Sequence, residues 1–400
     1  MTPDPIFAGI DARARTVKRA LFAETKRGVK LLREKIRNGG IAVANISAKQ
    51  LRRISWLRAR AQKQVHEIGE AKKRVDTYRA EWAVERDIGR VVSGSGPVVV
   101  GPWLSEVGYE VLYWVPFVRW VQSQFHIPPS RLVVVTRGGA AAWYSDITDN
   151  AIELFDLMSP KDYTAGNAQR SVEDRGTLKQ FGVSSMDQRI VAEVERRLGT
   201  SNVRVLHPSF LYQLFHQFWL GHRPPSFLEK RTRYRRIAAP SVAVPELPPQ
   251  FVAVKFYTAA SLPPTDGVRR ALQSLVLALA ERSDVVMLDT GLALDDHEDY
   301  SFALASRIHS VRESLRPRDN LAVQTAIISR ASSFVGTCGA LAWLAPMLGV
   351  DTTAVLADAR FLHGHLQVAR RVYQVIDGGR FSPLDISAFE QLGLPMRFTN

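Results

Sequence analysis

One segment of the chain has the composition of a phosphate-binding turn. Residues 333–345 (SFVGTCGALAWLA) pass from a short apolar stretch through small residues into a second apolar stretch. A strand that ends here, followed at once by a helix, would leave the first amides of the helix open to a phosphate. The residues of this predicted site are Gly336, Thr337, Gly339 and Ala340, with the Thr337 hydroxyl expected to cap the helix. The alternative is that the small residues only permit close packing of strand and helix.

A second polar turn follows another apolar run. Arg137, Gly138 and Gly139 come directly after residues 131–135, where a parallel strand is expected to end. An arginine beside two glycines offers a charge and an open backbone. We therefore expect this turn to hold an acceptor group or a phosphate.

Several other kinds of chemistry are disfavoured by the sequence. The single cysteine, Cys338, excludes an internal disulfide and a thiolate zinc cluster. The chain has no GxSxG, HExxH or P-loop motif, which disfavours a serine hydrolase, a zinc peptidase and a P-loop kinase. The acidic run at 295–299 lacks calcium-loop spacing and is predicted to be a surface loop. His363 and His365 are predicted to cap a helix or to face solvent, with contact to a bound ligand as the alternative, and no metal site is expected.

The elements that must position these turns follow an alternating pattern. Short apolar runs alternate with helical patterns, which is typical of parallel sheets covered by helices on both faces. A basic, proline-rich stretch at 223–250 divides the pattern. We therefore predict an α/β fold with two Rossmann-like domains, 93–222 and 251–400, joined by a linker. The predicted strands are 98–100, 131–135, 203–206, 251–254, 284–288, 333–335 and 352–356.

The first 92 residues are predicted to form a basic helical arm. Residues 1–90 hold 22 Lys and Arg against 10 Asp and Glu, so they carry +12 of the chain's net charge of +14. Two helices are expected, at 11–37 and 47–90, with a glycine-containing turn between them. In the second helix, apolar residues recur at steps of three and four, which predicts the seam of a helical hairpin or coiled coil.

Four interpretations of the arm are open. The seam packs on the first helix or on the rest of the chain, it forms a homo-oligomeric coiled coil, or basic clusters such as Lys72-Lys73-Arg74 bind anionic lipid. Nucleic acid is the weakest alternative, because aromatic residues for base stacking are scarce. The sequence has neither a membrane-spanning stretch nor the apolar core of a signal peptide. A cytoplasmic location is therefore expected, with peripheral contact to the inner face of the membrane.

The segment at 333–345 resembles the donor site of glycosyltransferases with the two-domain GT-B fold, such as the bacterial lipopolysaccharide heptosyltransferases. Those enzymes place an acid, a threonine, a glycine and a later histidine at the start of this helix. Here Thr337, Cys338, Gly339 and Ala342 stand at those positions, so only the glycine is shared. The resemblance therefore implies the architecture and a nucleotide-sugar donor, without naming the sugar.

A second resemblance lies at Gly108-Tyr109-Glu110. Heptosyltransferases have a Gly-Asp pair after the first strand, with a proline six residues beyond the Asp, and that Asp is the expected base. Glu110 stands six residues before Pro116, with Tyr109 inserted after Gly108. The resemblance implies Glu110 as a base at the lip of the cleft, and Glu106 is the competing candidate.

An activity and its partners follow from the resemblance, which covers the architecture of residues 97–375. GT-B enzymes often place a cation against the donor diphosphate, and Lys255 stands at that strand end. We expect a glycosyltransferase that moves a sugar from a nucleotide diphosphate-sugar to a hydroxyl of a glycan or glycolipid, in bacterial surface polysaccharide synthesis, with no obligatory cofactor. The alternatives are a nucleotide-sugar epimerase of the same fold and a non-enzymatic scaffold whose arm binds membrane or RNA.

Overall fold

The computed structural model describes residues 48–173, 179–294 and 297–388, together with Lys30 and Glu34. Apart from these two positions, the predicted first helix of the arm lies outside the described residues. The second predicted helix of the arm is helix α1 (Ala48–Val92), which confirms the prediction of a long helix here. The chain divides into two compact units, Met1–Ala83 and Val84–Asn400. The last residues of α1 therefore belong to the second unit, whereas the arm was predicted to extend to residue 92.

The first unit carries large aromatic side chains on its surface. Trp56, Tyr78 and Trp82 of α1 are each more than half exposed. Lys72 and Lys73 on the same helix are also exposed. The described part of this unit thus presents aromatic rings and positive charges to its surroundings.

The second unit begins with a four-stranded parallel sheet in the order β3-β2-β1-β4. Its strands are β1 (Val98–Val100), β2 (Leu132–Thr136), β3 (Ala151–Glu153) and β4 (Arg204–Leu206). β1 and β2 are buried along their whole length, as expected for valine-rich strands that are covered on both faces. Strands β1, β2 and β4 confirm the sequence prediction, and β3 was not predicted.

Helices connect and cover these strands. They are α2 (Val107–Tyr109), a π-helical turn (Glu110–Trp114), α3 (Val115–Gln124), α4 (Pro160–Glu173), α5 (Ser185–Leu198), α6 (Ser209–Trp219) and α7 (Pro225–Glu229). The first three elements form one continuous helical segment, which follows β1 after a loop at 101–106. Helix α5 begins with a capping box, in which Ser184 and Asp187 bond each other's backbone amides. Helix α6 is strongly apolar because its Leu, Tyr and Phe side chains pack in the core.

The predicted linker is a packed connection. Beyond α7, residues 232–248 have no regular secondary structure. The Arg233 amide donates to the Pro116 carbonyl at 2.8 Å, and the Ile237 amide donates to the Met347 carbonyl at 2.9 Å. The Tyr234 hydroxyl donates to the Leu112 carbonyl at 2.9 Å. Backbone bonds on both sides therefore fix this segment between the two sheets.

A six-stranded parallel sheet follows, in the order β10-β9-β8-β5-β6-β7. Its strands are β5 (Phe251–Lys255), β6 (Asp284–Met287), β7 (Ile308–Ser310), β8 (Ser333–Thr337), β9 (Thr352–Leu356) and β10 (Phe381–Asp385). Its helices are α8 (Asp266–Ala280), α9 (Asn320–Ile328), α10 (Ala340–Met347) and α11 (His363–Val375). Two parallel sheets with covering helices confirm the predicted pair of Rossmann-like halves.

The two halves share one hydrophobic core. A single cluster of buried side chains includes Trp114 and Trp143 from the first half and Leu321 and Trp343 from the second. The Trp143 indole also donates to the Thr325 hydroxyl of α9 at 3.1 Å. These contacts hold the carboxyl ends of both sheets toward each other.

Candidate functional site

A cavity of about 450 Å³ lies where the carboxyl ends of the two sheets meet. Its walls come from the segments that follow β1 and β2 in the first sheet and β5, β6 and β8 in the second. Open parallel sheets bind their ligands at this position. The charged side chains among its lining residues are Glu106, Arg137, Lys179, Lys255 and Asp299. The cavity lining therefore contains three cationic side chains and two carboxylates.

The start of helix α10 forms part of the cavity wall. Gly339 precedes the helix, and its carbonyl accepts from the amides of Ala342 at 2.8 Å and Trp343 at 3.2 Å. The first amides of a helix have no acceptor within it, and Ala340 and Leu341 border the cavity. Gly108 of α2 approaches closely, since a side-chain carbon built on it would lie 2.9 Å from the Ala340 nitrogen. The predicted small-residue turn thus lies in the cavity at Gly339 and Ala340.

Thr337 does not cap α10, contrary to the sequence prediction. It is the last residue of β8 and is buried. Its hydroxyl donates to the Tyr257 carbonyl at 2.9 Å and accepts from the Tyr257 amide at 2.8 Å. Gly336 also lies within β8, against the backbone of Lys255. Neither residue lines the cavity, because the strand continues further than the sequence pattern indicated.

Lys255 lines the cavity as predicted, at the end of β5, and is held by an ion pair. Its Nζ lies 2.6 Å from Asp299 Oδ1. Asp299 also accepts from the Thr290 amide at 2.6 Å. The predicted surface loop at 295–299 therefore contributes a cavity carboxylate at Asp299, while residues 295 and 296 lie outside the described part of the chain. The ion pair partly neutralises the charge of Lys255 toward a ligand.

The turn after β2 contributes only its arginine to the cavity. Arg137 is 3% exposed and donates to the Ser105 carbonyl at 3.3 Å. The amides of Gly138 and Gly139 instead donate to the two carboxylate oxygens of Glu153, both at 2.9 Å. A carboxylate of the same sheet therefore occupies the amides of these two glycines, and Arg137 is the part of the predicted turn that lines the cavity.

Glu110 does not lie at the lip of the cleft, and this predicted location is wrong. Its side chain is wholly buried and accepts from the Thr136 hydroxyl at 2.6 Å and the Tyr144 hydroxyl at 2.8 Å. Burial raises the pKa of Glu110 to about 7, although both hydrogen bonds oppose that rise. Glu106, the competing candidate, is half-buried and lines the cavity. The helical segment after β1 therefore presents Glu106, one turn earlier, to the cavity.

A cluster of four side chains in the cavity wall was not predicted. Lys179 Nζ donates to the Tyr109 hydroxyl at 3.1 Å, and His365 Nε2 lies 3.5 Å from the same oxygen. The Tyr113 hydroxyl lies 2.5 Å from His365 Nδ1. Burial, together with the charge of Lys179, lowers the pKa of His365 to about 4, so the imidazole is neutral at pH 7. The spacing of Tyr109 and Tyr113 by one helical turn was the only signal in the sequence.

Two buried amides of helix α9 complete the polar lining. Gln324 Nε2 donates to the Asn320 carbonyl at 3.1 Å, and both side chains line the cavity. Gln324 Oε1 is buried and has no hydrogen-bond partner among the described residues.

Within the described ranges, no group of three or more His, Cys, Asp or Glu side chains is arranged to hold a metal ion. The described helices also include none that is long and apolar enough to cross a membrane.

Comparison with known proteins finds similarity at the level of folds. No protein-family model matches the sequence, and no curated protein matches it significantly. The structure is similar to ADP-heptose LPS heptosyltransferase II of E. coli, with 14% identity over 66% of this chain and 85% of that chain and a TM-score of 0.36. It is also similar to a family 9 glycosyl transferase from Veillonella parvula, with 11% identity over 65% and 80% of the two chains and a TM-score of 0.32.

An epimerase has a comparable score. UDP-GlcNAc 2-epimerase from Methanocaldococcus jannaschii is 8% identical over 74% of this chain and 98% of that chain, with a TM-score of 0.29. Identities and scores this low assign neither a family nor a substrate. The function is therefore inferred from the residues that line the cavity.

Proposed function

We propose that this protein is a glycosyltransferase that moves a sugar from a nucleotide diphosphate-sugar to the hydroxyl of a glycan or glycolipid. The observation that carries the proposal is the cavity between the two sheets, whose lining includes the start of α10, three cationic side chains and Glu106. The free amides at a helix start, together with cationic side chains in the same cavity, can bind a diphosphate. A carboxylate can deprotonate a hydroxyl.

The donor diphosphate is proposed to bind at α10 and Lys255. Amides of Ala340 and Leu341 would bond its oxygens, and the Lys255 ammonium would offset its charge. These contacts strengthen as negative charge develops on the diphosphate during the reaction. The same groups would therefore bind the donor and stabilise the leaving group.

Glu106 is proposed as the base. Its carboxylate would take the proton of the acceptor hydroxyl, whose oxygen then forms a bond to the anomeric carbon of the sugar. The bond between that carbon and the diphosphate breaks, and the nucleoside diphosphate leaves with the electron pair. No step of this scheme needs a metal ion or an organic cofactor.

A ligand screen tests the donor site. Calorimetry and thermal shift with UDP, GDP, ADP and CDP should find one that binds, and a ligand at 100 times its dissociation constant stabilises the fold by about 2.7 kcal/mol. Binding of none of them would refute the proposal. Release of diphosphate should also require an acceptor glycan, whereas turnover without any acceptor would indicate an epimerase.

Two variants of the ion pair sharpen this test. Lys255→Ala should weaken binding of the nucleoside diphosphate about tenfold to a hundredfold, because hydrogen bonds to charged groups contribute about 1.5 to 3 kcal/mol. Asp299→Asn should strengthen binding, since it leaves the charge of Lys255 without its partner at 2.6 Å. Lys161→Ala, an exposed lysine on α4, is the matched control. Equal affinities in all three variants would place the diphosphate elsewhere.

The arm is proposed to bring the enzyme to its acceptor. Residues 1–90 carry a net charge of +12, and α1 exposes Trp56, Tyr78 and Trp82. Positive charge and interfacial aromatic rings together favour an anionic membrane surface. Glycolipid acceptors are presented at such a surface, which is consistent with a role in bacterial surface polysaccharide synthesis.

A further inference from the structure

The hydroxyl of Tyr109 has a fixed orientation that the proposed reaction can use. Tyr109 lines the cavity, and its oxygen accepts from Lys179 Nζ at 3.1 Å. An ammonium only donates, so the proton of Tyr109 cannot point to Lys179. Among the described residues, the other polar neighbour of that oxygen is His365 Nε2, at 3.5 Å. The direction of the Tyr109 proton therefore depends on which ring nitrogen of His365 carries hydrogen.

Tyr113 decides the tautomer of His365. The Tyr113 side chain is wholly buried, and its hydroxyl lies 2.5 Å from His365 Nδ1. If Nδ1 carried the hydrogen, the Tyr113 hydroxyl would accept it and its own buried proton would lose this acceptor, which is costly. If Tyr113 donates to Nδ1 instead, the neutral ring carries its hydrogen on Nε2. The second arrangement satisfies the buried hydroxyl.

With hydrogen on Nε2, His365 also points a donor at Tyr109. Both described polar neighbours of the Tyr109 oxygen are then donors, so its proton turns away from them and toward the cavity. Burial and the carboxylate of Glu106 raise the pKa of Tyr109 well above its usual value, so the hydroxyl keeps this proton at neutral pH. Tyr109 thus presents a hydrogen-bond donor polarised by the ammonium of Lys179.

The position of Tyr109 indicates which ligand group would accept a hydrogen bond from its hydroxyl. The preceding residue, Gly108, lies against the Ala340 nitrogen at the start of α10. We propose that the Tyr109 hydroxyl donates to an oxygen of the donor diphosphate, and that His365 and Lys179 position it. This inference rests on the proposed function, and it adds a binding residue from the first half of the chain to a site otherwise built by the second.

Binding of inorganic pyrophosphate and of UDP, GDP, ADP and CDP to the full chain tests the inference. Tyr109→Phe should weaken the probes that bind about tenfold to a hundredfold, as expected for a lost hydrogen bond to a charged group. Tyr234→Phe is the matched control, because the Tyr234 hydroxyl bonds the Leu112 carbonyl and Tyr234 does not line the cavity. Its affinities should equal those of the wild type.

The positioning role of His365 has its own signature. Tyr113→Phe removes the donor to Nδ1, so the ring hydrogen can move there and Nε2 can accept the proton of Tyr109. Affinity should then fall although Tyr113 is not proposed to touch the ligand, and the double variant with Tyr109→Phe should bind no more weakly than Tyr109→Phe alone. Nitrogen NMR of the free wild-type protein should find His365 protonated at Nε2.

The outcomes separate the two proposals. If a probe binds and Lys255→Ala weakens it while Tyr109→Phe does not, the role of Tyr109 is refuted and the donor site stands. If neither pyrophosphate nor any of the nucleotides binds the wild type, both proposals are refuted. A hydrogen found on Nδ1 of His365 refutes the orientation of Tyr109 whatever the ligand.

Discussion

Glu110 should make the stability of this protein depend on pH in an unusual direction. Burial raises its pKa from 4.5 to about 7 in the folded chain. Between these two values the folded state binds more protons than the unfolded state, so the free energy of unfolding falls as pH rises. A difference of about 2.5 between the two pKa values lowers the free energy of unfolding by about 3 kcal/mol over the full pH range. About 2.5 kcal/mol of this decrease in the free energy of unfolding occurs between about pH 5 and pH 8.

Glu110→Gln isolates this effect. A glutamine can still accept from Thr136 and Tyr144, and its amide nitrogen would take the place of Oε2, which is buried without a partner. At pH 5 the variant and the wild type are both neutral at this position and should differ little in stability. At pH 8 the wild type has a buried charge and the variant does not. The variant should therefore gain about 2.5 kcal/mol relative to the wild type between pH 5 and pH 8.

Urea unfolding followed by tryptophan fluorescence measures this difference, because Trp103, Trp114 and Trp143 are fully buried in the core. Other titrating groups are shared by both proteins and cancel in the comparison. Glu281→Gln, which removes a carboxyl group at an exposed position, is the control. An equal stability difference between Glu110→Gln and wild type at both pH values would refute the assignment of a raised pKa.

Three further predictions concern the cavity and the arm. Glu106→Gln should lower turnover at least a hundredfold with unchanged donor affinity, since positioned base catalysis contributes about 10² to 10⁴; steady-state kinetics with near-normal turnover would exclude Glu106 as the base. Burial raises the pKa of Cys338 from 9.0 to about 12, so iodoacetamide at pH 8 should alkylate it about a thousandfold more slowly than an exposed cysteine. Mass spectrometry should find it labelled at the normal rate only after unfolding in urea, and rapid labelling of the folded chain would contradict this burial. Replacing Lys72, Lys73 and Arg74 by glutamine should weaken sedimentation with anionic vesicles at low salt about a hundredfold, at about 1 kcal/mol per charge, and unchanged sedimentation would exclude this cluster from membrane binding.

The sequence predicted seven of the ten described strands, including the edge strand β4, and missed three edge strands. β1, β2 and β5 are mostly apolar runs because neighbouring strands and covering helices bury them on all sides. β3, β7 and β10 lie at sheet edges, have one neighbouring strand each and contain polar residues. Each pairs with the strand that precedes it in the chain, and it is too short or too polar to form an apolar run that would reveal it in the sequence.

The site was only partly predictable for a related reason. Gly339, Ala340, Lys255 and Arg137 follow strands, and the rule that parallel strands point their ends at a ligand was enough to find them. His365 was predicted to cap a helix or to face solvent, with donor contact as the alternative. Its contact with Tyr113 was not predicted, because Tyr113 lies 252 positions earlier in the chain. Such a contact forms only when distant segments fold together, so no spacing of residues in the sequence indicates it.

The π-helical turn at Glu110–Trp114 allows the helical segment to accommodate one additional residue. An extra residue in a regular α-helix rotates everything beyond it by about 100°. A π turn takes up one additional residue within a single wide loop of backbone, so the helix beyond it keeps its facing. Tyr109 lies immediately before this turn. Removal of one residue from the turn should therefore restore a regular α-helix while Pro116 and the rest of α3 keep their places in the core.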